Sequence, residues 1–233
     1  MEFSGKKVTV VGTGISGIGA VGLLNAVGAE VVLYDGNEKL KIEDIEKKLG
    51  TYKAEIVLGE LTKELTDSSD LLVISPGVPI DSPVVKAFEA AGVPIWGEVE
   101  LAYAFDKGKV LAITGTNGKT TTTALVGQIV GAYHKDTFVV GNIGNPYTTE
   151  VLKSNKDSYT VAEISSFQLE TVHEFHPLVS AILNITPDHL NRHYTMDCYV
   201  QTKEKIAMNQ KGAEVCVLNF DDDYLREFGE HTT

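Results

Sequence analysis

Only two cysteines, Cys198 and Cys216, occur in the 233 residues, and no C-x-x-C spacing joins them. That excludes a disulfide framework and a cysteine zinc site, and it fits a reducing compartment in which both thiols stay unpaired and buried. Long apolar runs are missing as well. The opening segment Met1-Glu2-Phe3-Ser4-Gly5-Lys6-Lys7 carries no signal core, and no run approaches the ~20 residues that a membrane span needs. A soluble, cytoplasmic protein without a membrane partner is expected. Basic residues are scarce, 20 Lys and Arg against 32 Asp and Glu, which leaves a formal charge of −12. Nonspecific attraction to nucleic acid is thereby disfavoured, and a phosphate must be captured locally, by backbone N–H groups and a few placed cations.

What is present is an alternation of strands and helices long enough for two domains, with 43% apolar residues to fill two cores. Residues 7–11 form a β-branched run ending in glycines, as for a strand buried on both faces of a parallel sheet. A helix over 18–27 closed by Gly28, a strand over 30–35, a charged helix over 42–49 and a strand over 70–75 follow. A helix over 82–91 and a strand over 94–96 complete this unit. Such alternation implies right-handed crossovers and a doubly wound sheet. A second unit opens with a helix over 98–105 and a strand over 109–114. A helix over 120–130 and strands over 138–140, 158–163, 178–184 and 214–219 continue it, and no closing element is identified after the last.

Each unit has a glycine loop between its first strand and helix. Gly12-Thr13-Gly14-Ile15-Ser16-Gly17 fits G-x-G-x-x-G, and Asp35 ends the next strand at about the dinucleotide-binding distance. Small residues let the backbone approach a diphosphate, and the helix N-terminus adds N–H donors. The motif alone admits NAD, another diphosphate, or a tight turn without ligand. The second loop, Gly115-Thr116-Asn117-Gly118-Lys119-Thr120-Thr121, has the context of a phosphate-binding P-loop. Its amides would surround the β- and γ-phosphates of ATP, Lys119 would neutralise charge, and the Thr120 hydroxyl would bind Mg²⁺. The general pattern asks for glycine where Ile113 stands, so the loop is a compact variant.

With that T-G-T-N-G-K-T loop the sequence resembles the Mur ligases. Four further segments occur in the family's order: Gly141-Asn142-Ile143-Gly144, Glu163-Ile164-Ser165-Ser166-Phe167-Gln168-Leu169-Glu170, Asn184-Ile185-Thr186-Pro187-Asp188-His189-Leu190-Asn191-Arg192-His193, and Tyr199-Val200-Gln201-Thr202-Lys203. In the first domain, Ser75-Pro76-Gly77 and Trp96-Gly97-Glu98-Val99-Glu100-Leu101 extend the match. The fold so implied is α/β, with a Rossmann-like N-terminal domain (residues 1–97) that holds UDP rather than NAD. A central P-loop-type ATP-binding domain (98–233) follows, truncated and without the family's third domain.

The implied activity is ATP-dependent addition of D-glutamate to UDP-N-acetylmuramoyl-L-alanine through an acyl phosphate, in peptidoglycan precursor synthesis, by a monomer. This chain by itself is expected to turn over little. Gly14, Ile15 and Ser16 would meet the diphosphate, with Asp35 near uracil and Gly77 in the same site, although Gly36-Asn37 replaces a hydroxyl–arginine pair common in relatives. Glu163 would join Thr120 on one Mg²⁺, and His189 would ligate a second. Lys203 matches a lysine that the family carbamylates into an oxygen ligand bridging toward that second ion. Asn142, Ser165 and Gln168 would position substrate, and Lys205 would contact phosphates. Two bland expectations complete the list: His189 and His193 only mimic a zinc pair, and Phe167 and Leu169 are packing residues. An NAD-dependent dehydrogenase and a non-catalytic nucleotide-binding fragment are the competing readings.

Overall fold

The structure is a computed structural model describing residues 2–231, and it divides into two compact units, one up to Ala104 and one from Phe105 on. The first comprises β1 (Lys7–Val11), α1 (Ile15–Ala26), β2 (Glu30–Asp35), α2 (Ile42–Leu49), β3 (Glu55–Leu58), α3 (Lys63–Ser68), β4 (Leu71–Ile74), α4 (Pro83–Ala90), β5 (Ile95–Gly97) and α5 (Glu98–Tyr103). Its five strands are all parallel, in the order β3-β2-β1-β4-β5. Val8, Val10, Leu72 and Val73 are buried almost completely, which explains why β4 is apolar throughout and why β1 after Lys7 is broken only by the buried Thr9. Strand order reverses between β1 and β4, so a crevice opens at their carboxyl ends, where ligands bind in sheets of this kind.

Three details depart from expectation. Strand β3 and helix α3 were unforeseen; α3 has only six residues and begins at Thr62, whose side chain accepts from the Leu65 amide. Helix α5 packs against α1 and β4, so the break in packing falls after it, and the expected boundary at 97/98 differs from the observed one by that helix. Helix α1 begins earlier, because Gly14 is already the extended residue before its first turn.

The second unit contains β6 (Lys109–Thr114), α6 (Lys119–Tyr133), β7 (Thr137–Gly141), α7 (Tyr147–Glu150), β8 (Tyr159–Glu163), α8 (Ser166–Leu169), β9 (Val179–Ile182), α9 (Leu190–His193), α10 (Met196–Glu204), β10 (Val215–Leu218) and α11 (Asp223–His231). Its parallel sheet runs β10-β9-β6-β8-β7, which places the loops after β8 and β9 on either side of the glycine loop after β6. Helix α11 is a closing element where none was expected; it packs on β10 and buries Leu225. Cys198 is exposed and Cys216 half-buried, so both thiols are free but not both buried. Among the described residues no helix is long and apolar enough to cross a membrane.

The first glycine loop depends on close backbone approach. A Cβ at Gly17 would lie 1.9 Å from the Gly12 carbonyl oxygen, and backbone cannot yield as a side-chain tip would. Gly17→Ala should therefore lower stability by about 2–3 kcal/mol, read as a shift of the urea midpoint at unchanged slope. An unshifted midpoint would contradict the tight turn.

Candidate nucleotide and substrate sites

In the first unit, Gly12 has φ +104°, and its amide donates to the Tyr34 carbonyl. The amides of Ile15, Ser16 and Gly17 precede the first helical bond, from Ile18 N–H to the Gly14 carbonyl, and form the donor end of α1. Gly14 and Ile15 are exposed, the Ile15 side chain at 76%, and Gly77 is exposed beyond β4 on the same edge of the sheet. Asp35 is engaged rather than free. Its Oδ2 accepts from Thr13 N (3.3 Å) and Thr13 Oγ1 (3.1 Å), and its Oδ1 accepts from Asn37 N (3.1 Å). This carboxylate fixes the loop, whereas a dinucleotide site would turn it to the ribose. Lys48 reaches from α2 to the Thr13 carbonyl (3.3 Å) and brings a cation to the loop that the sequence pattern does not single out.

In the second unit, Gly115 (φ +148°) lets the chain pass Leu183, whose Cβ would stand 3.1 Å from an added Cβ. Gly118 (φ +82°) starts α6 in the left-handed region. The amides of Gly118, Lys119, Thr120 and Thr121 precede the first helical bond, Thr122 N–H to the Gly118 carbonyl, so they form the donor end of the helix, the kind of end that suits an anion. The amides of Thr116 and Asn117 are used differently. They donate to Asn184, at its main-chain oxygen (2.9 Å) and its Oδ1 (2.8 Å). Lys119 folds back over the loop, its Nζ donating to the carbonyls of Gly115 (3.0 Å) and Thr116 (2.9 Å).

Beside this loop lie a buried carboxylate and a buried amine. Glu163, 1% exposed at the end of β8, accepts from Asn142 Nδ2 on Oε1 (2.8 Å), while its Oε2 is buried without a partner. An orphaned carboxylate oxygen suits a hard cation, and the residues present therefore fit Mg²⁺. Lys203 on α10 is 1% exposed, donates to the Gly115 carbonyl (2.9 Å) and lies 4.7 Å from the centroid of the Tyr199 ring. Burial, helped by the charge of Lys119 and opposed by Asp188, brings its pKa down to about 7. One carbonyl thus receives two lysine nitrogens.

His189 has φ +52° and is exposed, with Asp188 Oδ2 3.4 Å from its Nε2 and the Phe167 ring 4.9 Å away. His193 is buried, its Nε2 sharing a hydrogen bond with Ser166 Oγ (2.9 Å), and burial pushes its pKa down against the pull of Glu170. The Phe167 ring lies 4.9 Å from the His189 imidazole and 5.6 Å from that of His193. Among the described residues no three His, Cys, Asp or Glu side chains gather into a metal cluster. Phe167 is more than packing, since its half-buried ring also carries the Arg192 guanidinium 5.0 Å from its centre, and Arg192 forks onto the Glu170 carboxylate. Leu169, by contrast, is pure core. Ser165 and Gln168 bond each other as the capping box of α8, a role that the S-x-x-Q spacing could have announced. Lys205 donates to the Glu170 carbonyl (3.1 Å). Asn184 and Tyr199 open two of the matched segments without a role being assigned to them, and Lys48 is not singled out by sequence, because their contacts depend on which elements lie side by side.

Residues 113–233 match the Mur ligase middle domain, and residues 6–97 match the Mur ligase MurD-like N-terminal domain. A UDP-N-acetylmuramoylalanine--D-glutamate ligase of Lachnospira eligens is 69% identical over 228 residues, covering 98% of this chain and 51% of that protein. Its namesake in Lachnoclostridium phytofermentans is 58% identical over 227 residues, covering 97% of this chain and 50% of that protein. The chain spans about half the length of these curated relatives. Among solved structures, UDP-N-acetylmuramate:L-alanyl-gamma-D-glutamyl-meso-diaminopimelate ligase from Neisseria meningitides aligns with a TM-score of 0.61 over 98% of this chain and 76% of that one. Identity there is 16%, so that likeness concerns the fold alone. Two glycine loops on two parallel sheets, in the order of the two matched domains, agree with one conclusion: the chain belongs to the Mur ligase family.

Proposed function

We propose that this chain works in a cytoplasmic, ATP-dependent ligase that joins D-glutamate to UDP-N-acetylmuramoyl-L-alanine during peptidoglycan precursor synthesis. The observation that carries the reading is the meeting of Lys119 and Lys203 at the Gly115 carbonyl, one amine available for phosphate and the other tuned toward neutrality. The names of the two curated relatives support the choice of amino acid.

In this reading the amides of Gly118, Lys119, Thr120 and Thr121 receive the β- and γ-phosphates of ATP, and Lys119 exchanges its loop carbonyls for phosphate oxygens. Thr120 and Glu163 would hold one Mg²⁺, and His189 and a carbamylated Lys203 would hold a second; such ions would neutralise charge where anions crowd. The substrate carboxylate attacks the γ-phosphorus, forming an acyl phosphate and releasing ADP. The neutral amine of D-glutamate then attacks the acyl carbon; the tetrahedral adduct collapses to the amide, expelling phosphate and losing a proton. Asn142 both steadies Glu163 and lines the substrate site, and Ser165 and Gln168, just after Glu163 in sequence, stand on a fixed helix start. In the first unit Gly14, Ile15, Ser16 and Gly77 take the UDP end, while Asp35 shapes the turn.

Fluorescence titration of the chain with UDP and with NADH tests the assignment of the first loop. UDP should bind and NADH should not. NADH binding in the absence of any UDP response would return the dehydrogenase reading and sink this one.

A further inference from the structure

Asn184 lies two residues beyond β9, the strand that pairs with the P-loop strand β6, and it touches the loop three times. Its main-chain oxygen accepts from Thr116 N (2.9 Å), its Oδ1 from Asn117 N (2.8 Å), and its Nδ2 donates to the Asn117 carbonyl (3.0 Å). The ladder between the strands already extends through Leu183 N to the Thr114 carbonyl (3.0 Å). The carboxamide of Asn184 continues it, standing in for one more peptide group with a donor and an acceptor side by side. Because Asn117 presents a backbone donor and a backbone acceptor, only a side chain with both functions at this length satisfies the pair.

We infer that Asn184 is a positioning residue for ATP, holding the Asn117 peptide so that the next four amides face outward as a phosphate cradle. The loop needs such a brace. Gly115 and Gly118 both have positive φ, and glycine at these positions leaves the free backbone with many alternatives. A second brace acts on the preceding residue, where Thr116 Oγ1 bonds the Thr186 carbonyl (3.1 Å) and Tyr199 OH (3.1 Å), but it leaves the Asn117 peptide untouched. Fixing that peptide before nucleotide arrives removes an ordering cost from binding.

The inference rests on the proposed ATP site, and calorimetric titration with MgATP separates the two. Asn184→Ala should bind about ten-fold more weakly than wild type, as expected when one loop amide and one loop carbonyl each lose a partner. A thermal midpoint close to wild type serves as the folding control for the second unit, and affinity for UDP in the first should stay the same. Asn184→Asp keeps the acceptor for the Asn117 amide but loses the donor, so at pH 8 it should bind MgATP comparably weakly at a thermal midpoint close to wild type, a split that a merely structural role would not produce. Should Asn184→Ala fold poorly, this variant decides alone. Undiminished MgATP affinity in a folded Asn184→Ala or Asn184→Asp overturns the inference while wild-type binding preserves the ATP site. Failure of wild type to bind MgATP overturns both.

Discussion

Lys119→Ala should weaken MgATP binding by about two orders of magnitude and leave UDP binding as it was. The side chain makes two hydrogen bonds to loop carbonyls in the structure, at 3.0 and 2.9 Å, so its amine already occupies the mouth of the cradle. Transferred to phosphate oxygens, those bonds become charge-assisted, worth roughly 1.5–3 kcal/mol each, and about 3 kcal/mol in total corresponds to that loss. Other cations do not stand in for it. Lys203 is buried and near neutrality, Lys205 is engaged with the Glu170 carbonyl, and a net charge of −12 gives no diffuse attraction. Titration of each ligand separately reads both outcomes. Equal losses for ATP and UDP would mean that the two glycine loops do not serve separate ligands.

The second large effect concerns Lys203. Lys203→Ala should cost on the order of a hundred-fold in turnover of the ligase carrying this chain, as for loss of a group that fixes a metal. Acetate, small enough to enter the space vacated by the stem beside Tyr199, should restore part of it. The chemistry behind the expectation is the attack of a neutral amine on CO₂, which forms an N–C bond, releases one proton and leaves a carbamate. Burial favours the uncharged amine, and with a pKa of about 7 it is mostly protonated at pH 6 and about nine-tenths neutral at pH 8. Carbamate formation should therefore rise with pH across this window. A carbon-13 signal from labelled bicarbonate on wild type, absent from Lys203→Ala, would follow it. A signal insensitive to the substitution, or a variant deaf to acetate, would remove Lys203 from this role.

Much of this arrangement is legible in residue order. The strands over 7–11, 30–35 and 109–114 and both glycine loops fall where β-branched runs meet glycines, since a strand covered on both faces must be apolar throughout. Elements with weaker local signals were not legible. Strand β3 is an edge strand of one exposed and three half-buried residues, α3 is short, and α11 declares itself mainly by Leu225 against β10. Within the site, Lys119, Glu163 and Lys203 could be named from motif and resemblance, but not their geometry. That the Glu163 carboxylate has one bonded and one orphaned oxygen depends on Asn142, which belongs to the segment after a different strand. Asn184 was hidden for the same reason. Its sequence neighbours say nothing about Asn117, and only the adjacency of β6 and β9 brings the two together.

The placement of β6 in the middle of its sheet also bears on how the protein is made. Residues 109–114 find their hydrogen-bonding neighbours in residues 159–163 and 179–182, all translated later, so this strand leaves the ribosome with both edges bare. The glycine loop that follows acquires its last supports at Asn184 and Lys203. A nascent polypeptide shorter than that has an unfinished glycine loop, whereas β1 has met both of its neighbours once residue 74 has emerged.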